Sequence, residues 1–170
     1  MTSEWRIERL TKQHDRKGFD CGQPALNDFL KRFARQNDQL DMGLTYVAVE
    51  PGSTTILGFY TLSSGHVPFD ALPLSESKGL PRHPIPVVLL ARLAVDRRHQ
   101  KQGIGESLLV DALRRAAQAS ETVGVRAIAV DAKNESARAF YQHFGFLAFA
   151  DDPLHLFLPM ETVRKACENR

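Results

Sequence analysis

The chain has 170 residues, of which 43% are apolar and 25% charged, with a formal net charge of +2. These values are typical of one globular domain and exclude intrinsic disorder and fibrous repeats. Apolar segments fall short of the roughly 20 residues that span a bilayer, and the first residues lack a secretory pattern. We therefore expect one domain over residues 1–170, located in the cytoplasm, and the two distant cysteines predict neither a metal site nor a disulfide.

The first half of the chain predicts strands interrupted by one helix. Residues 5–10 alternate between apolar and polar side chains, which is the period of a half-buried strand. Residues 26–34 have the spacing of an amphipathic helix, with Pro24 in its first turn. Segments 44–49 and 56–62 predict a hairpin around Pro51-Gly52-Ser53. Five prolines and two glycines in residues 65–86 predict a loop with at most one short helix.

The second half predicts strands that alternate with helices. Residues 87–95 are almost all apolar, as in a strand buried on both faces. A helix follows over 104–116, then a strand over 125–130 and a helix over 135–144 that Gly145 ends. Segments 146–149 and 154–158 predict a final strand pair, although the latter could instead form a dimer surface. The fold class is therefore α/β, with a mixed and mostly antiparallel central sheet flanked by helices.

Positive charge is concentrated in the middle of the chain. Between Lys78 and Lys101 there are six basic residues and one acidic residue. Such a stretch is either a solvated surface or a binding region for a phosphate-rich ligand.

A glycine-containing segment, Gln100-Lys101-Gln102-Gly103-Ile104-Gly105, joins the apolar strand to the next helix. The first N–H groups of a helix lack intrahelical acceptors and bind phosphate where no side chain blocks the approach. The segment is neither a dinucleotide fingerprint nor a P-loop, because Leu108 replaces the third glycine and no Gly-Lys-Ser/Thr follows. From these residues alone, a phosphate site and an unliganded turn both remain open.

Two longer motifs resemble those of the GNAT superfamily of N-acetyltransferases. The first is Arg92-Leu93-Ala94-Val95-Asp96 followed by Gln100-x-x-Gly103-x-Gly105, and the second is Asn134-Glu135-Ser136-Ala137-Arg138-Ala139-Phe140-Tyr141 with Phe144-Gly145-Phe146. The resemblance extends from the first predicted strand to the last. It implies the GNAT fold and acetyl-CoA as the acetyl donor.

Further segments resemble one branch of that superfamily. Phe19-Asp20-Cys21-Gly22 leads into Leu26-Asn27-Asp28-Phe29-Leu30, and Gly58-Phe59-Tyr60-Thr61-Leu62-Ser63 follows. These segments are similar to the tRNA-acetylating toxins of bacterial type II toxin–antitoxin pairs. The resemblance implies acetylation of the α-amino group of aminoacyl-tRNA. It also implies a homodimer and an antitoxin with a DNA-binding domain of the ribbon-helix-helix type.

The resemblance also implies roles for individual residues. The cofactor-binding set is Leu93, Ala94, Val95, Gln100, Lys101, Gln102, Gly103, Ile104, Gly105, Asn134 and Phe140. Tyr141 is expected to be the general acid that protonates the leaving thiolate of coenzyme A, because a phenol carries its proton at neutral pH. Spacing places Asn134, Arg138 and Tyr141 on one helix face. The alternative for Tyr141 is a core tyrosine whose hydroxyl has an ordinary partner.

The strand over 87–95 contains no carboxylate that could act as a base. A lysine amine has a pKa near 10.4 and needs such a base, whereas an α-amino group, with a pKa of about 7.7–8.0, needs less help. The sequence therefore favours aminoacyl-tRNA over protein lysine, although His66, His99 or a water molecule could serve as the base.

The candidate tRNA contacts are the basic residues Lys31, Arg35, Arg82 and Arg92, with Lys78, His83 and Arg32 as further candidates. For the helix residues the alternative is a solvated face balanced by Asp28 and Asp38. Two other functions stay open: acetylation of a small-molecule or protein amine, and binding of coenzyme A or an antitoxin without catalysis. Small amine substrates are cationic and would favour an acidic pocket, which the basic middle of the chain argues against.

Overall fold

A computed structural model describes residues 5–168 and contains a seven-stranded sheet in the order β1-β2-β3-β4-β5-β7-β6. The strands are β1 (Arg6–Arg9), β2 (Leu44–Val49), β3 (Ile56–Val67), β4 (Ile85–Val95), β5 (Ala127–Asp131), β6 (Leu147–Ala148) and β7 (His155–Pro159). The helices are α1 (Pro24–Asp28), α2 (Ala34–Gln39), α3 (Leu74–Ser77), α4 (Ile104–Ala119), α5 (Glu135–His143) and α6 (Met160–Glu168). The mixed α/β class is confirmed.

The described residues divide into two compact units. The first contains the chain up to Ser63 together with Ala91–Ala112, and the second contains Ser64–Leu90 and the chain from Leu113 onward. In the described part of the chain no helix is long and apolar enough to cross a membrane.

The first unit is built on the predicted meander. β1 pairs antiparallel with β2, and β2 with β3, around a turn that contains Gly52 at φ 79°. Pro24 begins α1 as predicted, and a π-helical turn over Phe29–Phe33 joins α1 to α2. The core of this unit contains Phe19, Leu30 and Phe59, all almost fully buried. The predicted helix and hairpin are therefore confirmed, and the helical segment extends to Gln39.

The second unit contains the parallel strand pair. Val87–Leu90 of β4 pair with Ala127–Val130 of β5 in parallel, and β7 pairs antiparallel with both β5 and β6. Its core includes Val87, Ala129 and Phe157. Segment 154–158 thus contributes a buried strand, as the first of its two interpretations predicted.

Two details of the sequence prediction were wrong. The predicted loop over 65–86 is wrong at its start, because β3 continues through Gly65 to Val67. An added Cβ on Gly65 would lie 2.6 Å from Cδ1 of Leu89, so the backbone passes close to that side chain. Helix α6 was missed, since its buried residues Met160 and Val163 follow a strand with no intervening turn.

Candidate active site

The segment between β4 and α4 makes a compact turn that is held to the end of the strand. A 3₁₀ turn over Arg97–His99 follows Asp96, whose side chain accepts a hydrogen bond from the N–H of Arg98 at 2.9 Å. The Nε2 of Gln100 donates to the carbonyl of Val95 at 3.1 Å. Gln100 thus ties the predicted phosphate-binding segment back to β4.

Two residues of this segment have left-handed backbone conformations. Lys101 has φ 65° and Gly103 has φ 92°, and an added Cβ on Gly103 would meet nothing within 4 Å. The carbonyl of Gly103 accepts a hydrogen bond from the N–H of Ser107 at 3.0 Å, at the start of α4. The N–H groups of the first helical turn have no intrahelical acceptors, and the helix dipole is positive here. The geometry of residues 100–105 suits a phosphate group.

Another glycine sets how closely α4 approaches the strands of the first unit. A Cβ on Gly58 would lie 2.9 Å from the carbonyl oxygen of Ala94, 2.9 Å from Cδ1 of Leu108 and 3.3 Å from Cγ2 of Ile104. Ile104 and Leu108 are buried there. Gly58, which the resemblance singled out, therefore lets the beginning of α4 pack against β3 and β4.

The end of β4 presents different residues to its two faces. Leu93 and Val95 are partly buried and lie beyond the four-residue register that β4 shares with β5. Ala94 is buried in the core of the first unit. Because side chains alternate along a strand, Arg92 shares the face of Ala94, opposite to Leu93 and Val95. Leu93 and Val95 thus lie on the face of β4 opposite to Ala94, beyond the residues of the strand that pair with β5.

Asp96 is the most strongly held ionisable group of this region. It is 1% exposed and accepts hydrogen bonds from Nε and Nη2 of Arg98 at 3.0 and 3.2 Å and from the N–H of Asp20 at 3.1 Å. Burial alone would raise the pKa of Asp96, but the bonds from Arg98 and Asp20 lower the pKa to about 2. Asp96 is therefore ionised, and its carboxylate oxygens hold Arg98 and the backbone of Asp20 in place.

Arg92 differs from the other arginines of the first unit. Its guanidinium carbon lies 3.6 Å from the ring centroid of Phe29, and burial lowers the pKa of the side chain. Within residues 5–168 the guanidinium forms no ion pair and no hydrogen bond. A half-buried cation with five N–H donors and no counter-ion is a candidate anion-binding group.

The other basic candidates have different surroundings. Arg98 contacts Asp96, Arg97 lies 3.5 Å from Asp20, and Arg82 lies 3.4 Å from Asp70 with its guanidinium over the ring of Phe69. Much of the charge in the basic stretch is thus paired. On the first helical segment, Arg32 pairs with Asp28, while Asp38 forms its close ion pair with Arg9. Lys31 and Arg35 form no ion pair with any residue between 5 and 168.

In the second unit, Tyr141 is a buried tyrosine with an available proton. It lies on α5, is 6% exposed and packs against the rings of Phe140 and Phe146. Burial raises the pKa of Tyr141 well above its ordinary value. Its hydroxyl forms no hydrogen bond with any described residue, which is not the ordinary arrangement of a core tyrosine. The hydroxyl is thus protonated and free to donate to a ligand.

Asn134 is the N-cap residue that precedes α5. Its Oδ1 accepts from the N–H of Ala137 at 2.9 Å, so the side chain caps the helix. Asn134 thus precedes the helix that carries Arg138 and Tyr141, and the helical spacing behind the predicted shared face applies fully only to the latter two. The Nδ2 of Asn134 still can donate to a ligand. Phe140 is partly buried and its ring contacts Phe144.

No carboxylate occurs between Ile85 and Val95 of β4. His66 is exposed on β3. His99 lies beside Asp96, with Nδ1 3.6 Å from Oδ1 of that residue. The structure thus adds no obvious catalytic base, and within residues 5–168 no group of His, Cys, Asp and Glu could hold a metal ion.

The sequence-predicted residues fall into two sets. The segment over 93–105 lies in the first unit with Arg92, Lys31 and Arg35, whereas Asn134, Phe140, Tyr141 and Arg82 lie in the second. Sequence reasoning missed Asp20, Asn27 and Asp96 as a hydrogen-bonded group. Three polar residues spread over 77 positions give no local pattern, although Asp96 stood out as the one acid of the basic stretch.

The chain is similar to characterised acetyltransferases over most of its length. Residues 4–146 match the model of the acetyltransferase (GNAT) family. A relative described as "tRNA-acetylating toxin", from Mycobacterium tuberculosis (strain ATCC 25618 / H37Rv), is 41% identical over 92% of this chain and 92% of its own length.

Two solved structures are similar in fold and sequence. "AtaT complexed with acetyl-methionyl-tRNAfMet" has a TM-score of 0.89 and 33% identity, covering 96% of this chain and 99% of that one. "Structure of the AtaT Y144F mutant toxin bound to the C-terminus of the antitoxin AtaR and Acetyl-CoA" has a TM-score of 0.81 and 30% identity, covering 97% and 99%. The resemblances drawn from the sequence motifs, to the superfamily and to its toxin branch, are confirmed. With its mixed sheet and the glycine-containing turn before α4, the chain belongs to the GNAT family of acetyltransferases.

Proposed function

We propose that this protein is the toxin of a type II toxin–antitoxin pair and transfers the acetyl group of acetyl-CoA to the α-amino group of aminoacyl-tRNA. N-acetylation removes the amine that forms the next peptide bond, so translation stops. A relative of 41% identity is described as a tRNA-acetylating toxin, and a neighbour of known structure was solved with acetyl-methionyl-tRNA.

The observation that carries the choice of an RNA substrate is the unpaired Arg92 guanidinium. It is fixed over the ring of Phe29 on the strand that also contains Leu93 and Val95. A small cationic amine, such as a polyamine or an aminoglycoside, would be repelled by an uncompensated cation, whereas a phosphate would be attracted. Lys31 and Arg35 add positive charge on the first helical segment, and Arg82 is a further candidate contact.

The donor is held by backbone groups in this proposal. Leu93 and Val95 pair with the pantetheine arm, with Ala94 between them buried in the core. The segment over 100–105 binds the pyrophosphate through the first N–H groups of α4, for which the open space at Gly103 leaves room. The family resemblance adds Asn134 and Phe140 to the donor-binding residues of this proposal, Asn134 through its Nδ2.

Tyr141 supplies the proton in the transfer step. The neutral α-amino nitrogen attacks the acetyl carbonyl carbon, a C–N bond forms, and the C–S bond breaks. The Tyr141 hydroxyl gives its proton to the leaving sulfur, the proton that the new amide nitrogen loses passes to solvent, and solvent then returns a proton to Tyr141. Burial keeps the Tyr141 proton in place at neutral pH, since it raises the pKa of the hydroxyl.

The lack of a carboxylate on β4 agrees with an α-amino acceptor. Near neutral pH an α-amino group is partly neutral, because its reference pKa is about 7.7–8.0, so a strong protein base is not needed. A water molecule then suffices as the first proton acceptor.

The partners follow from the same proposal. A cognate antitoxin with a DNA-binding domain of the ribbon-helix-helix type neutralises the enzyme, and the enzyme forms a homodimer in the cytoplasm, where aminoacyl-tRNA is made. A similar toxin was solved bound to the C-terminus of its antitoxin. Light scattering on the purified chain tests the dimer, and copurification with the product of a neighbouring short reading frame tests the antitoxin.

The deciding experiment measures transfer of labelled acetyl from acetyl-CoA to charged total tRNA, uncharged tRNA and a polyamine in parallel. Label on charged tRNA alone supports the proposal, and sequencing the labelled tRNA then identifies the amino acid. Label on the polyamine alone would move the function to small-amine acetylation. Bound coenzyme A without label on any acceptor would indicate a binding module.

A further inference from the structure

A hydrogen-bonded group joins the loop before α1 to the chain just before the phosphate-binding segment. We call this group the bracket; it consists of Asp20, Asn27, Asp96 and Arg97. Both backbone polar groups of Asp20 form hydrogen bonds. The N–H donates to Oδ2 of Asp96 at 3.1 Å, and the carbonyl accepts from the N–H of Arg97 at 2.8 Å. The backbone at Asp20 is thus fixed against the first residues that follow β4.

The side chains extend the bracket to α1. Oδ1 of Asp20 accepts from the N–H of Gly22 and from Nδ2 of Asn27, both at 2.9 Å. Oδ1 of Asn27 accepts from the N–H of Cys21 at 2.8 Å. The bonds from Gly22 and Asn27 lower the pKa of Asp20, so its carboxylate is ionised at neutral pH. The side chain at position 27 must be an amide, because it donates a hydrogen bond to Asp20 and accepts one from the N–H of Cys21.

The two arginines just before the phosphate-binding segment are paired with the carboxylates of the bracket. Nη1 of Arg97 lies 3.5 Å from Oδ2 of Asp20, and Arg98 binds Asp96 and, at 3.3 Å, the carbonyl of Gly18. With these guanidinium groups engaged, phosphate affinity depends on the exposed Lys101 and on how the N–H groups of residues 100–105 converge. Convergent N–H groups are sensitive to small displacements of the backbone.

From these contacts we infer that the bracket positions the phosphate-binding segment, and that Asn27, which is distant in sequence, is a positioning residue for the pyrophosphate of acetyl-CoA. The inference rests on the proposed function, in which residues 100–105 bind that pyrophosphate. It gives the segment Phe19-Asp20-Cys21-Gly22, together with Asn27, a role in donor binding.

The test is the Asn27→Asp variant of the full chain, which removes the Nδ2 donor and puts a second carboxylate beside Asp20. Two donors are compared in steady-state kinetics with charged tRNA: acetyl-CoA, and acetyl-pantetheine, which has the same thioester but no pyrophosphate. We expect kcat/KM for acetyl-CoA to fall about three- to tenfold, mainly through KM, which is the size of the net contribution of one typical hydrogen bond. The value for acetyl-pantetheine should stay unchanged.

Two further variants complete the experiment. Asp28→Asn is the matched control, because Asp28 is the next residue of α1 and, within residues 5–168, forms an ion pair only with Arg32, at 3.4 Å on the surface. This variant should leave the values for both donors unchanged. The double variant Asp20→Asn/Asn27→Asp restores one carboxylate opposite one amide and should recover part of the acetyl-CoA value. Calorimetric titration with coenzyme A, without tRNA, should give the same order of affinities.

The outcomes separate the two proposals. If the wild-type enzyme uses acetyl-pantetheine as well as acetyl-CoA, pyrophosphate binding by residues 100–105 is wrong. If the wild-type enzyme prefers acetyl-CoA and Asn27→Asp keeps the full preference, the bracket has no positioning role. An equal loss with both donors, or no recovery in the double variant, would also overturn that role in favour of general destabilisation.

Discussion

Asp96 in the first unit and Tyr141 in the second are both buried ionisable residues, yet their surroundings are opposite. Asp96 is 1% exposed, and its carboxylate accepts bonds from Arg98 and Asp20, which hold its pKa at about 2. Tyr141 is 6% exposed, and burial without any hydrogen bond from the described residues raises its pKa. A buried group whose partners are present fixes structure, whereas one whose partner is missing is available to a ligand.

The same contrast separates two arginines of the first unit. Arg98 uses its guanidinium on the Asp96 carboxylate, while Arg92 stacks on Phe29 without an acidic partner in the described part of the chain. Sequence position cannot distinguish them, because both lie in the same basic stretch. The presence or absence of an acidic partner in the structure indicates which of the two guanidinium groups is available to bind a phosphate.

We expect the largest effect, on turnover, from Tyr141→Phe. This variant removes the hydroxyl that is proposed to protonate the leaving thiolate and leaves the ring in place. We expect turnover to fall about 10²- to 10⁴-fold, the usual contribution of a general acid. The affinity for coenzyme A should change little, since the ring and its contacts with Phe146 remain. Initial rates and calorimetric titration measure the two effects, and unchanged turnover would remove Tyr141 from the mechanism.

The pH profile of turnover sharpens this assignment. Because burial raises the pKa of Tyr141 above its ordinary value, the hydroxyl keeps its proton through the alkaline range in which a free tyrosine, with a pKa near 10, begins to ionise. Turnover at saturating substrate should therefore not decline between about pH 8 and 9.5 through loss of this proton. A decline in that range that is absent from Tyr141→Phe would contradict the raised pKa.

Gly103→Val should have the second largest effect, this time on donor affinity. The Cβ position of Gly103 is open, so the valine would occupy the space left for phosphate, and we expect coenzyme A to bind at least about 30-fold more weakly. The matched control is Gly52→Val, since Gly52 has φ 79° and nothing within 4 Å of its Cβ position. Both variants should lose comparable stability through backbone strain. Equal coenzyme A affinity in both would contradict the assignment of residues 100–105.

Much of the fold was predictable because its hydrophobic patterns are local. The helix beginning at Pro24, the hairpin around Gly52 and the apolar strand β4 are each marked by residues that lie close together in the sequence. The continuation of β3 through Gly65 was missed because glycine indicates a turn unless the packing of Leu89 against it is known. Helix α6 was missed because it begins directly after β7.

The candidate site could be proposed from the sequence only where a motif is contiguous. Glycine spacing before a helix left a phosphate site and an unliganded turn open for residues 100–105, and the resemblance to the family motifs then implied roles for this segment and for Tyr141. The bracket could not be proposed in this way, because Asp20 and Asp96 are brought together by folding and not by proximity in the chain. The pairing of Arg98 and the isolation of Arg92 also depend on folding.

Asp96→Asn should have an intermediate effect, on stability. The folded-state pKa of about 2 lies below the ordinary value of 3.8, so the ionised carboxylate stabilises the fold by about 2 kcal/mol above the unfolded-state pKa. This stabilisation is fully present at pH 7 and is lost as the pH falls from about 4 to about 2. Urea unfolding should show a lower free energy for Asp96→Asn at pH 7, with the two proteins converging near pH 2. If the difference in unfolding free energy between the two proteins stayed constant from pH 7 to pH 2, the negative charge of Asp96 would not be the cause of the stabilisation.

Arg92→Gln should have the smallest of these effects, and it tests whether an unpaired cation marks the RNA side of the enzyme. Each phosphate contact contributes about 0.7 to 0.9 to the slope of log affinity against log salt concentration. We therefore expect the slope for charged tRNA to decrease by about that amount, with a few-fold weaker binding at low salt. Arg6→Gln is the matched control, because Arg6 is an exposed residue of β1 near Glu8, and its loss changes the net charge equally. If both variants shift the slope alike, the effect reflects overall charge, and the partner-free guanidinium of Arg92 does not bind phosphate.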